Sequence, residues 1–174
     1  MLTHEPGGTP LGEEIRRIVL HLRGVSDDLD ERTDALLYAA SRAQHVARVI
    51  RPALDRGEWV VCARYADSSL AYQGHGYGND LDELRRLQDF ATFGLRPDLT
   101  ILLDVPVEVG LGRKRHGAWN RFEDTEGAEF FDRVRAGYRD MAAGEPDRFR
   151  VVDGSGTVAA ADEEIREIVE RDLL

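Results

Sequence analysis

Four groups of residues carry side chains suited to chemistry on a planar, anionic ligand. Tyr38 and Arg42 stand four apart in a helical stretch, so they share one face, one turn from each other. A ring beside a guanidinium can stack on a nucleobase while the fork bonds a carbonyl edge; an ordinary amphipathic helix with a half-buried tyrosine fits the same spacing. Arg64 follows the apolar run Trp59 to Ala63, at the strand end where open α/β sheets place their ligands. Ser69, Tyr72 and Gln73 come next at helical spacing and offer hydroxyl and amide groups for the polar edges of a base or sugar. A helix capped by Ser68 or Ser69 accounts equally for that stretch. Gly7 and Gly8 permit a tight backbone path into a helix with unpaired N–H groups, and Arg16, two turns in, can reach a phosphate. Arg113, Arg115 and Arg121 lie in the segment 113–127, which contains Gly117 and ends at Gly127, an arrangement suited to closing on a transferring phosphoryl group, or to a solvated basic loop.

The elements that position these groups read as alternating helices and strands. Leu11, Ile15, Ile18, Val19 and Leu22 recur at helical spacing behind Thr9 as N-cap and Pro10 as first helical residue. A second helix is predicted from about Arg32 to Arg51. WVVCA (59–63), LTILLDV (99–105) and FRVVD (149–153) read as strands. The second is apolar almost throughout, as a parallel strand covered on both faces would be. Helical patterns span 81–93, 107–115, 129–142 and 158–173, and loops are expected at 74–80, 113–127 and 153–156. The pattern predicts an α/β fold, a parallel sheet with helices on both faces, in a single domain over residues 1–174.

Composition narrows the partners. A formal net charge of −10 over 174 residues argues against a nucleic-acid polymer, which needs a basic face, but not against a mononucleotide, which needs two or three placed cations. Hydrophobic residues make up 42% of the chain, enough for a core. No apolar run approaches the roughly 18 residues that span a bilayer, so no membrane partner is expected. Cys62 is the single cysteine, which excludes an internal disulfide and suits a reducing, cytoplasmic setting.

In order and separation, HEPGGT (4–9), YAASR (38–42), RYADSSLAYQG (64–74) and LRPDLTILLDVPVEVGL (95–111) resemble the thymidylate kinases over essentially the whole chain. The resemblance implies a P-loop nucleoside-monophosphate-kinase fold and transfer of the γ-phosphate of ATP to dTMP, giving dTDP, with Mg2+ and ATP as co-substrate. It implies a ring at Tyr38 stacking on thymine, Arg42 bonding the base, and Arg16 and Arg64 holding the phosphate. Ser69 and Gln73 match base-contacting positions, Tyr72 the ring beneath the deoxyribose, and Glu5 a further substrate-binding position. Arg64 and Arg121 take catalytic roles, and Arg113, Arg115 and Arg121 form a lid over ATP; no protein metal ligand is assigned. A homodimer is implied as well.

The sequence departs from the family pattern in three places. No G-x-x-x-x-G-K-[ST] occurs, and Lys114, the single lysine, has no glycine-rich frame before it. The chain is therefore expected to be N-terminally truncated relative to the family. Ala63 stands where the pattern has aspartate before Arg64-Tyr65, and His4 where arginine is usual. With the phosphate loop and that aspartate missing, two outcomes follow: a transferase, or a module that binds dTMP without transfer.

Overall fold

A computed structural model describes residues 1–21, 29–114, 122 and 126–174. Strand β1 (Leu2–His4) leads through the glycine turn into helix α1 (Pro10–His21), where the Thr9 hydroxyl accepts from the Gly12 N–H at 2.9 Å as the expected N-cap. Helix α2 (Glu31–His45) starts on Asp30, whose carboxylate accepts from the N–H groups of Arg32 and Thr33. It runs through a π-helical segment (Val46–Ile50) into α3 (Arg51–Asp55). Strand β2 (Val61–Ala63) is followed by α4 (Ala66–Ser69) and a second π-helical segment (Leu70–Gly76). Helix α5 (Leu81–Thr92), β3 (Thr100–Asp104), α6 (Val107–Lys114), α7 (Ala128–Gly144), β4 (Phe149–Asp153) and α8 (Val158–Leu173) complete the order.

All strand pairing is parallel, as expected, but the strands form two separate pairs rather than one ladder. Leu2–His4 align with Val61–Ala63, and Thr100–Asp104 with Phe149–Asp153. This corrects the expectation that 99–105 is covered on both faces. Leu103 is 52% exposed, because β3 has one strand partner among the described residues and part of its surface is left open. The three-residue β1 escaped sequence reading, being too short to carry a period of two.

Two further expectations are corrected. Residues 74–76 belong to the second π-helical segment instead of a loop. A β-carbon on Gly76 would lie 2.6 Å from the Phe130 ring, and one on Gly74 would collide with Leu81; these glycines serve close helix packing. Neither Ser68 nor Ser69 caps α4. Ser68 accepts from the Tyr138 hydroxyl at 2.7 Å, and Ser69 accepts from Arg42.

The main core gathers Ile15, Val19 and Leu20 of α1 with Ala71, Phe122, Phe130, Val134 and Phe149. Tyr72, Tyr77, Phe122 and Phe130 form an aromatic cluster with centroids 5.0 to 6.2 Å apart, in edge-on, tilted and stacked geometries. Arg148 joins the β3–β4 pair to α4, donating to both Asp67 oxygens (2.8 and 2.9 Å) and to the Thr100 hydroxyl (2.8 Å).

At the carboxyl end of β3, Asp104 takes a two-pronged bond from Arg135 of α7, at 2.7 and 3.0 Å. That bond, helped by the charge of Arg139 and opposed by Asp153, holds the Asp104 carboxyl below its ordinary value. A depressed folded-state value adds stability above the ordinary aspartate range and loses it as pH falls through the folded value. Asp104→Asn is expected to cost about 1 kcal/mol near neutrality, a partly exposed pair being discounted for solvent. By urea unfolding the two proteins should converge as pH falls below the lowered folded-state value of Asp104.

Candidate functional site

The glycine turn and the second half of α2 build the floor of the site. Gly8 has φ +75°, and a β-carbon there would lie 2.5 Å from His45 Nε2, so the turn can press onto α2 only as glycine. The turn carries the buried Glu5 inward. Its Oε2 accepts from Arg42 Nε at 2.7 Å and its Oε1 from His45 Nδ1 at 3.0 Å. Because a carboxylate only accepts, His45 Nδ1 carries the proton, and Nε2 is left to meet the Thr3 hydroxyl at 2.7 Å.

Arg42, 1% exposed, is the hub of this floor. Besides Glu5 it donates to Ser69 Oγ (3.0 Å), to Gln88 Oε1 and to the Tyr65 carbonyl (3.1 Å). A buried guanidinium is tolerated only with such a set of partners. Arg64 sits differently. It is solvent-accessible at φ +67°, in the left-handed region that non-glycine residues rarely adopt. Its guanidinium lies 4.9 Å from the centroid of the Tyr72 ring, and Nη2 donates to the Tyr72 hydroxyl at 3.1 Å. Arg16 is anchored by a 2.9 Å bond from Nη1 to the Pro6 carbonyl. Gln73, 1% exposed, donates from Nε2 to Asp34 Oδ2 at 2.9 Å.

These elements enclose a cavity of about 210 Å³. Every substrate-binding residue expected from sequence lines it: Glu5, Arg16, Tyr38, Arg42, Arg64, Ser69, Tyr72 and Gln73. Lys114, Phe122 and Ser68 line it as well; sequence reading passed over them, since a lone lysine, a lone phenylalanine and a serine carry no spacing signal. His45 was missed too, although its i, i+3 relation to Arg42 on one helix was a usable cue. The arginine segment is only partly placed. Arg115 and Arg121 lie outside the described residues. Arg113 does not line the cavity: it donates to the carbonyls of Gly154 (2.6 Å), Ser155 (2.7 Å) and Gly156 (3.3 Å), closing the loop after β4.

The family model for thymidylate kinase matches residues 1–165. The chain belongs to the thymidylate kinase family. Curated thymidylate kinases resemble it closely: that of Leifsonia xyli subsp. xyli is 54% identical, covering 94% of this chain and 77% of the relative. That of Roseiflexus castenholzii is 48% identical over 98% of this chain and 79% of the relative. That of Syntrophotalea carbinolica is 48% identical over 91% and 75%. The family is one of phosphotransferases, and the mixed α/β architecture with parallel strands is the one it implies. No described helix is long and apolar enough to cross a membrane.

Thymidylate kinases imply a magnesium ion with ATP, and the described lining fits it poorly. Glu5 is the one acidic residue among the cavity-lining residues, and both its oxygens are committed to Arg42 and His45. At the end of β2, Ala63 offers a methyl where the family pattern has a carboxylate. Glu5, His45 and Cys62 do bring ligand atoms within 4.8 Å of one another. Burial, then the Glu5 carboxylate, push the Cys62 thiol up to about 12, so it stays protonated near neutrality; the adjacent Arg42 charge repels a cation.

Proposed function

We propose that the cavity is a dTMP site and that the chain serves transfer of the γ-phosphate of ATP to dTMP. One observation carries the reading: eight residues from separate stretches of sequence line a single cavity, and seven of them offer groups suited to a base, a sugar or a phosphate. In this reading Tyr38 stacks on thymine over a floor of Arg42, Ser69 and Gln73. Tyr72 lies beneath the sugar, and Arg16 and Arg64 take the phosphate. The phosphate end needs fixed cations, and Arg64 is already held by Tyr72 before any ligand arrives. Preorganised donors of this kind are the main means by which phosphoryl transfer is stabilised. The lid role of Arg115 and Arg121 belongs to the same proposal, as do a single domain and a homodimer.

Ala63 favours a second reading, binding of dTMP without transfer. Losing one preorganised group costs about 10²–10³ in rate. A coupled ADP-release assay with Mg-ATP and dTMP, dUMP, dGMP or AMP, beside calorimetry with the same monophosphates, separates the readings. Turnover with dTMP above the other three supports the kinase, and binding without turnover supports the second reading. Equal response to all four monophosphates would remove both.

A further inference from the structure

Resting on the dTMP reading, we infer that Asp34 is a specificity-positioning residue: it fixes the orientation of the Gln73 amide, so the site accepts a pyrimidine that donates from its ring nitrogen and rejects one that does not. Asp34, Tyr38 and Arg42 stand at i, i+4 and i+8 on α2 and share one stripe of the helix. Asp34 is fully buried and does not line the cavity; Gln73 does. Their contact is Gln73 Nε2 to Asp34 Oδ2 at 2.9 Å.

An amide can turn either end toward a neighbour, and only the neighbour's chemistry settles which. The bond runs from the Gln73 NH2 to a carboxylate oxygen of Asp34, so it is the NH2 end of the amide that faces Asp34. The Gln73 carbonyl oxygen is thereby turned from Asp34, and no described residue donates to it. The Gln73 backbone is pinned as well, its carbonyl accepting from Asn79 Nδ2 at 2.8 Å. The cavity floor therefore presents an obligate acceptor, Gln73 Oε1, together with an obligate donor, Arg42. Thymine and uracil offer the complementary N3–H and O4. Cytosine offers an unprotonated N3 and an amino group, the reverse pattern. A buried site built for one hydrogen-bond polarity discriminates strongly against the opposite one, because its own groups are left unpaired.

The test is calorimetry with dTMP and dCMP on the whole chain and three variants: Asp34→Asn, Gln73→Glu, and the two together. In Asp34→Asn the new side-chain amide can turn either end to Gln73, so the dTMP over dCMP preference should shrink about tenfold. In Gln73→Glu the new carboxylate faces that of Asp34, acceptor against acceptor, and dTMP binding should weaken. In the double variant the amide introduced on α2 can donate to the introduced carboxylate, leaving one of its oxygens for the ring N–H, and the preference should return. Equal losses for both nucleotides in Asp34→Asn, or a double variant no better than Gln73→Glu, would overturn the inference. Should Asp34→Asn fail to fold, the comparison of Gln73→Glu with the double variant decides it. A parent chain that binds neither nucleotide refutes the dTMP reading itself.

Discussion

Arg42→Met is expected to destabilise the fold by about 3–5 kcal/mol, the cost of stripping one partner from a buried ion pair. The guanidinium is 1% exposed and spends four of its five N–H groups on Glu5, Ser69, Gln88 and the Tyr65 carbonyl. Without it the nearly buried Glu5 carboxylate keeps only His45 as a side-chain partner among the described residues. Lysine is no substitute: a single ammonium cannot span four acceptors lying in different directions, so Arg42→Lys should recover less than half of the loss. Urea unfolding at neutral pH measures both. A loss below about 1 kcal/mol for Arg42→Met would mean that the polar floor is solvated rather than buried. Gln88 takes part in the same floor, and its Nε2 is the one buried side-chain polar atom without a partner among the described residues. Removing Arg42 would leave its Oε1 unpaired too.

Arg64→Gly is expected to move stability and binding in opposite directions. The residue holds φ at +67°, a conformation that costs an ordinary residue about 1–2 kcal/mol and glycine little. Against that gain stand the loss of the Tyr72 contact and the greater freedom of glycine when unfolded. The net change should lie between zero and about 1 kcal/mol of added stability. Binding should suffer: removing a charge-assisted donor from a phosphate weakens dTMP about 10- to 100-fold while leaving thymidine, which has no phosphate, unchanged. Thermal unfolding and calorimetry with the two ligands read these effects separately. Equal weakening of dTMP and thymidine would place Arg64 against the nucleoside and take the phosphate role from it. Strained backbone at a residue whose side chain is held over a cavity is the pattern of a position shaped for function at some expense of stability.

The cavity was legible in the sequence because its residues come from runs with a fixed period. Tyr38 and Arg42 follow the helical repeat of α2, and Arg64 stands one residue past β2. What the sequence hid was governed by contacts distant along the chain. Ser68 and Ser69 look like caps locally, but Tyr138 and Arg42, 70 and 27 residues away, claim them. Gly74 and Gly76 look like a turn until Leu81 and Phe130 are placed beside them. Arg113 reads as a phosphate ligand by residue type, yet the carbonyls of Gly154 to Gly156 present three acceptors within its reach. The apolar run of β3 predicts burial on both faces, but hydrophobicity records what a strand can bury and not how many neighbours it has. Leu103 and Val151 are both half exposed as a result.

Titration of the chain with dTMP in a calorimeter, beside thymidine and inorganic phosphate, bears most directly on the assignment of the cavity. One-to-one binding of dTMP, tighter than either fragment and weakened by both Gln73→Ala and Arg64→Gly, is the predicted result. No heat of binding, or binding that both substitutions leave untouched, would contradict it.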